Sequence, residues 1–294
     1  MASLPQSASS NNPSASNPAK PVPPRRLINE GIRNGSTEEI ARALQLDRTL
    51  LPYALSTAVW RGSVPLATYL LNNEHAPIET LRVSSVLQEP TIELLDVLVS
   101  AGWDLNQRSP ASGPGMVGRF LDGVIHDEQM VRWCLEHGAE VSDGKENEDE
   151  YRYRPLTDLA AGEATVSCFK LIRAHGAQLG RTTLHKAVKG AAWCPPEKKH
   201  ERMAMLEYLV NDERLDVNQL DTDDRLAGHP GTPIMYAIDR AGGTDVVEWL
   251  LEHGADPKIK NSSEGLDAFD LAERWGNEAV KGVLRRWKED SGES

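Results

Sequence analysis

The stretch GTPIMYAIDRAGGTDVVEWLLEHGADP, residues 231–257, contains the signals for two short helices. Thr232 is a favoured N-cap residue, and Pro233 suits the first helical position, where its missing N–H costs nothing. Apolar residues then recur at helical spacing in two runs, and the second run ends at Gly254, a residue that readily adopts the left-handed conformation after a helix. Each predicted helix has one apolar side and is too short to be stable alone, so we expect it to stack on neighbouring copies.

Copies of this stretch occur along the chain. LEHGADP at 251–257 recurs as LEHGAEV at 135–141, with weaker forms RAHGAQL at 173–179 and SAGWDLN at 100–106. Their glycines are separated by 36, 38 and 78 residues, and the last spacing is two periods because LDVN at 215–218 occupies the intermediate place. A fixed period of this length indicates a repeat architecture.

A second element precedes the copies, and the pairing points to a family. This element reads GTPIMYAI at 231–238, TTLHKAV at 182–188, PLTDLAA at 155–161 and YALSTAVWRG at 53–62. The chain resembles the ankyrin-repeat proteins, whose unit reads T-P-L-H-x-A-A-x-x-G-H, then an apolar helix ending L-L, then G-A-D-V-N. The resemblance extends over residues 27–288. It implies an all-α repeat solenoid of stacked helix-turn-helix ankyrin repeats with short hairpin or finger loops.

The resemblance divides the chain into segments. Residues 1–24 hold six Ser, six Pro, four Ala and three Asn, a composition that predicts a disordered tail. We expect an N-terminal helical cap at 25–52, with Ser36 and Glu39 as a capping box. An array of about six repeats should follow at 53–262, then a C-terminal capping repeat with a polar outer helix at 263–290 and a disordered end at 291–294. The predicted units are 53–79, 81–107, 116–142, 155–179, 181–218 and 231–257.

Three insertions interrupt the predicted array. They lie at 143–153, 191–202 and 219–230. Insertions in repeat proteins map to loops, often on the binding face. The first and third are rich in acidic residues, and we expect them to be solvated acidic fingers.

Charge and cysteine content limit the possible partners and compartments. The formal net charge is −12, and residues 1–26 contribute three cations and no acid, so the remainder is more acidic still. Such a chain is not expected to bind nucleic acid or an anionic membrane. Three cysteines cannot form a disulfide framework, and neither a secretory signal nor a bilayer-spanning apolar run is present. We expect an intracellular protein, cytoplasmic or nuclear, without a membrane anchor and monomeric.

A glycine-rich segment and the cysteines suggest chemistry, and each also has a structural explanation. GPGMVG at 113–118 satisfies the dinucleotide pattern G-x-G-x-x-G, but the preceding segment is polar and holds a proline instead of a strand, so we predict a loop. Cys134 and Cys168 lie in apolar stripes, whereas Cys194 lies in a predicted loop with His200 six residues away. Nothing positions that histidine as a base, so no catalysis and no cofactor are expected.

Candidate metal ligands also have structural explanations. His137, His175 and His253 recur once per unit before the glycine of xHGA, so they should not converge on one ion. The resemblance implies that His185 links backbone groups of adjacent turns. The acidic run beginning at Asp221 lacks the spacing and the closing glutamate of a calcium loop. No metal site is predicted.

The candidate binding residues come from the family alignment. In ankyrin proteins the two residues after A-A face the concave groove. In this sequence the residues at those positions are Trp60 with Arg61, Asp239 with Arg240, and Arg274 with Trp275. Trp and Arg are enriched at interface hot spots, although packing on an adjacent inner helix is an equal alternative. Should Trp60 prove not to bind, Trp193 and the basic segment Lys198, Lys199 and Arg202 are the next candidates. Trp133 and Trp249 fall in the outer-helix stripes, where core packing or packing on the convex surface is expected.

These residues predict a non-enzymatic adaptor or scaffold. It would bind another protein through its concave face and finger loops, because a groove of rigid helices orders little on binding. The alternative is a small-molecule-binding or catalytic protein that uses the 113–118 or 191–202 loops. A pocket with convergent polar groups would favour that alternative.

Overall fold

The computed structural model describes residues 22–109, 118–142, 155–221, 231–239, 241–275 and 278–292. Regular secondary structure in these ranges is helical, and it forms eight consecutive pairs of an inner helix followed by an outer helix. The pairs are α1 (Pro24–Asn34) with α2 (Thr37–Leu46), α3 (Leu51–Trp60) with α4 (Val64–Asn72), α5 (Val83–Val86) with α6 (Ile92–Ser100), α7 (Phe120–Gly123) with α8 (Glu128–Glu136), α9 (Leu156–Glu163) with α10 (Val166–Ala174), α11 (Thr183–Trp193) with α12 (Lys199–Glu207), a 3-10 helix (Pro233–Ala237) with α13 (Thr244–Glu252), and α14 (Ala268–Trp275) with α15 (Glu278–Asp290). The prediction of an all-α fold of stacked helix pairs is confirmed.

The pairs stack in chain order. Inner helices contact inner helices, as in α1 on α3 and α9 on α11, and outer helices contact outer helices, as in α4 on α6 and α8 on α10. The buried apolar side chains form one cluster that extends from Ile28 in α1 to Leu284 in α15. Each pair therefore buries its apolar side against its neighbours, which is how a solenoid is stabilised.

The HGA turns end the outer helices as the sequence predicts. Gly102, Gly138, Gly176 and Gly254 have φ between 84° and 96°, the left-handed region that favours glycine. The histidine before three of these glycines places its Nδ1 2.7–2.9 Å from the carbonyl oxygen four residues earlier. The interpretation of these histidines as turn residues is confirmed.

Asparagines of the D-x-N segments join neighbouring pairs. Asn106 donates its amide to the Gly138 carbonyl at 3.0 Å, and its side-chain oxygen accepts from the Glu140 N–H at 2.8 Å. Asn218 makes the same two bonds to Gly254 and Asp256, at 3.0 and 2.8 Å. One side chain thus satisfies a donor and an acceptor of the next turn, which fixes the spacing between turns.

Two outer helices end differently, without glycine. α4 is followed by Asn73 and Glu74, and α12 continues as a π-helical turn over Tyr208–Asp212. Both endings then place a non-glycine residue in the left-handed region, with φ of 54° at His75 and 58° at Arg214. The sequences LLNNEHAPI and LVNDERLDV around these residues have the same spacing, so this ending is a second local solution.

A tyrosine, a glutamate and an arginine hold each of these endings. The Tyr208 hydroxyl donates to Glu213 at 2.8 Å, and Arg173 of α10 donates to the same carboxylate at 3.2 Å. The hydrogen bond from Arg173 helps to lower the pKa of Glu213, while burial and the neighbouring carboxylate raise the pKa of Tyr208 to about 12. At the end of α4, the Tyr69 hydroxyl and Arg48 donate to the Glu74 carboxylate in the same way.

We expect Arg214→Gly to stabilise the protein by about 0.5–1 kcal/mol, because it removes the steric cost of a left-handed non-glycine residue. Urea denaturation followed by circular dichroism measures the change. Arg132→Gly, within α8, is the control and should destabilise because glycine is unfavourable inside a helix. A loss of stability in Arg214→Gly would show that the arginine side chain contributes more than its backbone conformation costs.

Several helix ends depart from the sequence predictions. The first helix of the sixth unit begins at Pro233 as predicted, but it is a 3-10 helix. The Thr232 side chain, predicted to cap it, makes no capping hydrogen bond. Ser36 accepts from the Glu39 N–H at 3.3 Å, while the Glu39 carboxylate accepts from Asn34 instead of closing the predicted capping box. Tertiary packing, which buries Thr232 completely, takes precedence over local capping there.

The prediction of an inserted loop at 191–202 is wrong. α11 continues to Trp193, a 3-10 turn spans Pro196–Lys198, and α12 begins at Lys199, so only residues 194 and 195 are irregular. The predicted basic cluster is not exposed as a unit either. Arg202 is buried against the end of α9, and the Lys199 ammonium donates to the Ala191 and Gly242 carbonyls and pairs with Asp245. The two cations therefore donate hydrogen bonds to backbone carbonyls at helix ends, and Lys199 also pairs with Asp245.

The chain ends differ slightly from the predicted boundaries. α1 already begins at Pro24, the last residue assigned to the tail, and Ser291 bonds to the Trp287 carbonyl at the end of α15. In the last pair, Lys281 is buried between Glu273 and Glu278, at 3.0 Å from each, and is not part of the polar outer face. We propose that the first and last pairs cap the array. The predicted loop at 143–153, residues 222–230 of the predicted loop at 219–230 and the tail up to residue 21 lie outside the described residues.

Candidate inner-helix binding surface

Three inner helices end in tryptophan, and these ends form the candidate surface. Trp60 is the last residue of α3, Trp193 of α11 and Trp275 of α14. Trp60 and Trp193 are 43% and 47% exposed, whereas Trp275 is half-buried. Exposed tryptophans are unusual because this side chain is usually mostly buried. We call the exposed ends of the inner helices the inner-helix surface.

Cations accompany two of these tryptophans. The Arg61 guanidinium carbon lies 4.7 Å from the centre of the Trp60 ring, and the Lys189 ammonium lies 4.6 Å from that of Trp193. Cation–π contacts of this kind hold both side chains in defined positions. Arg274, beside Trp275, pairs instead with Glu264 of the preceding loop. Arg240 lies outside the described residues, and Asp239 next to it is exposed.

A narrow groove separates α9 from α11. Its volume is about 200 Å³. Gly162 and Gly190 allow the close approach of these helices, because a Cβ on Gly190 would lie 2.5 Å from the Gly162 carbonyl oxygen. The groove is lined by Asp158, Leu159, Gly162, Glu163, Lys186, Lys189, Gly190 and Trp193.

The groove was not predicted, although the family alignment contains a signal for it. The two positions after A-A are Gly162 and Glu163 in the fourth unit and Lys189 and Gly190 in the fifth. These are the positions that selected Trp60 and Arg61 in the first unit. Four of the groove residues therefore follow from the same rule. Trp193 lies one turn further along because α11 is longer than the other inner helices that flank it.

A buried carboxylate lies at the base of the groove. Asp158 is 3% exposed and accepts hydrogen bonds from the hydroxyls of Thr182 and Thr183. Burial raises the pKa of Asp158 although these hydrogen bonds act in the opposite direction. His185, one turn along α11 from Thr182, lies 3.0 Å from the Gln219 and Gly231 carbonyls through Nε2. This matches the linking role that the resemblance implies for His185, and burial lowers its pKa.

A larger cleft of about 600 Å³ lies beside α5 and α7. These inner helices are only four residues long, so less helix fills this part of the stack. Polar groups at the cleft are engaged locally: Asp127 caps α8 by accepting from the Gln129 and Met130 N–H groups, and the Ser84 carbonyl accepts from Gln88. The Asp127 carboxylate and the Ser84 carbonyl are thus engaged by bonds within their own segments.

The other candidates for chemistry are explained by packing, or lie outside the described ranges. Cys134 and Cys168 are fully buried, and burial raises the pKa of the Cys134 thiol to about 12, so it is not a nucleophile at neutral pH. The partly buried Cys194 donates to the Ala191 carbonyl at 3.3 Å. Of GPGMVG, only Gly118 is described. Asp221 is buried beside the Tyr236 hydroxyl, and residues 222–230 are outside the description.

The described residues contain neither a candidate metal site nor a candidate membrane-spanning helix. No group of three or more His, Cys, Asp or Glu side chains there could hold a metal ion. None of the helices in those ranges combines the length and the apolar character that crossing a bilayer requires. Trp133 is buried and donates to Asp96 at 2.9 Å, while Trp249 stacks on His253 at 3.8 Å, as expected for outer-helix packing.

Comparison with known proteins gives a family match to one segment. The family described as ankyrin repeat matches residues 231–262. No curated protein matches the chain. Among solved structures, the ankyrin repeat protein EF0377 is 16% identical, with 88% of this chain and 96% of that chain covered and a TM-score of 0.29. A chain from the complex of the Bdellovibrio bacteriovorus predatory endopeptidase Bd0816 with immunity protein Bd3460 is 15% identical, with 89% and 97% covered and a TM-score of 0.27.

Superpositions with such TM-scores do not establish a common fold, so the family assignment depends on the matched segment and on the architecture itself. Stacked helix pairs, left-handed glycines after the outer helices and asparagines that bridge adjacent turns recur along the chain. The segment 231–262 contains the best copy of this unit. Residues 231–262 therefore match an ankyrin repeat, and the other helix pairs of the described residues stack in the same way.

Proposed function

We propose that this protein is a non-enzymatic adaptor or scaffold that binds a protein partner through its inner-helix surface, with the finger loops contributing. Ankyrin repeats generally mediate protein–protein interaction, and the family is typically non-catalytic. The observation that supports the site is the exposure of Trp60 and Trp193, each held by a neighbouring cation. Rigid aromatic anchors of this kind lose little entropy on binding.

The same proposal includes the setting in which the protein acts. The three cysteines are free, as expected for a protein of the reducing cytoplasm or nucleus. The acidic net charge disfavours nucleic acid as the partner. We propose a monomer that acts inside the cell.

Affinity purification with mass spectrometry, followed by binding measurements on the partner found, tests the proposal. Trp60→Ala and the double variant Arg274→Ala with Trp275→Ala should each weaken binding roughly thirtyfold, the size of a hot spot. Helicity and thermal stability should change little for Trp60→Ala, because its ring is exposed. Arg132→Ala, on the outer helix α8, is the control and should bind normally. Full affinity in both well-folded inner-helix variants would exclude this surface.

A further inference from the structure

The groove between α9 and α11 has two chemically different walls. The α11 wall presents Lys186, Lys189 and Trp193, and the α9 wall presents Leu159 and Glu163. Gly162 and Gly190, at which the two helices approach each other, line the groove as well. With a volume of about 200 Å³ it is smaller than pockets for drug-sized ligands, which begin at roughly 300 Å³. Its size suits a side chain of a partner protein.

The exposed charges of the groove favour an anion on the α11 wall. The carboxylate of Asp158 is buried under two threonine hydroxyls, so it is not presented to an occupant. Lys189 is exposed, whereas the one exposed acid of the lining, Glu163, lies on the opposite wall. Lys186, one turn before Lys189, places its ammonium 5.9 Å from the centre of the Tyr236 ring and acts on the buried Asp158 carboxylate. Arg61 adds a cation elsewhere on the inner-helix surface of this acidic protein, whereas Arg274 is paired with Glu264.

The contact between Lys189 and Trp193 decides between an acidic and a basic occupant. The ammonium already lies over the indole ring at 4.6 Å. A basic side chain would have to displace the Lys189 ammonium from the Trp193 ring. A carboxylate can pair with that ammonium without moving it. An apolar side chain beside the carboxylate would then cover the exposed part of the Trp193 ring.

We propose that this groove binds an acidic side chain of the partner protein at Lys189, with a neighbouring apolar side chain packed on Trp193. The proposal rests on the proposed function and specifies the partner chemistry at one place on the inner-helix surface. Charge complementarity of this kind gives specificity and a salt-dependent association rate.

A display library of random 12-residue peptides, selected on the full-length protein, is the probe. The selected peptides are synthesised with a fluorescent label, and their affinities are measured by anisotropy for wild type and for Lys189→Glu, Glu163→Gln, Trp193→Ala and Arg132→Ala. We expect sequences with Asp or Glu beside an aromatic or aliphatic residue. Lys189→Glu should weaken their binding about tenfold, and Glu163→Gln should leave it unchanged or strengthen it. Trp193→Ala should weaken it, whereas Arg132→Ala, on the outer helix α8 and outside the inner-helix surface, should not.

Three results would overturn the proposal: selected peptides that are neutral or basic, acidic peptides whose affinity changes less than twofold in Lys189→Glu, and no enrichment on wild type over a Lys189→Glu, Trp193→Ala double variant. Melting curves of each variant identify unfolding, and Lys189→Gln repeats the test with a smaller change. The proposed function fails separately. A partner that depends on Trp60 and Trp275 but tolerates Lys189→Glu would support the adaptor role and contradict the groove.

Discussion

Replacing Arg202 by Met should destabilise the protein by about 3 kcal/mol, the largest effect that we expect from a single polar side chain here. The Arg202 guanidinium extends from α12 to the end of α9, where it donates to the Glu163 and Ala164 carbonyls at 2.6 Å each. These carbonyls belong to the negative end of the helix dipole, and the side chain of Arg202 is buried. Met fills a similar volume but leaves the Ala164 acceptor, which is buried, without its donor.

Urea denaturation at neutral pH measures this loss. Arg132→Met is the matched control, because Arg132 is half exposed and pairs only with Glu128 of its own helix, so no measurable change is expected. Arg202→Lys, which keeps the charge but cannot bond both carbonyls in the same way, should fall between wild type and Arg202→Met. Equal stabilities of Arg202→Met and Arg132→Met would mean that water replaces the guanidinium at the end of α9.

Gly190→Ala should destabilise the protein by about 2–3 kcal/mol, although alanine is the better helix former. The added Cβ would lie 2.5 Å from the Gly162 carbonyl oxygen and about 3 Å from the Gly162 Cα and carbonyl carbon. These are backbone atoms, so no rotamer change relieves the clash, and α9 and α11 would have to separate. The separation would also widen the groove between them.

The control is the same substitution at a glycine with open surroundings. A Cβ on Gly282, within α15, would meet only the end of the Arg286 side chain at 4.0 Å. Gly282→Ala should therefore stabilise by roughly 0.5–1 kcal/mol. Opposite signs for the two variants in the same melting experiment would confirm the close helix contact. A stabilising Gly190→Ala would show that α9 and α11 are further apart than the structure has them.

The sequence was sufficient for the repeat unit and for most of its turns. HGA predicted a left-handed glycine and a histidine bonded within its own turn, and both are formed by residues within a few positions of each other. The pairing of helices also followed, because each apolar stripe is visible within one segment. The burial of Cys134 follows from the same stripe, which left Trp133 open between the core and the convex surface. Structural features that depend on residues close together in the chain can therefore be predicted from the sequence.

Prediction of the insertion at 191–202 failed because its composition is that of a loop while its partners lie elsewhere. Lys199 and Arg202 looked like a solvated basic cluster, yet they bond to carbonyls of α9, of α11 and of the loop before α13. Apart from Ala191, these acceptors come from other helix pairs, and nothing in the segment itself indicates them. Only stacking brings the long cationic side chains to the helix ends that they satisfy.

The amino-acid sequence by itself determined the repeat, its period, the glycine turns and the tryptophans that could be exposed, because each depends on residues close together in the chain. The tertiary structure alone decided which cations stay on the surface and where a groove opens. Gly162 and Gly190 are 28 residues apart, and their significance comes from the distance between α9 and α11. That distance is set by packing between pairs, which no single repeat specifies.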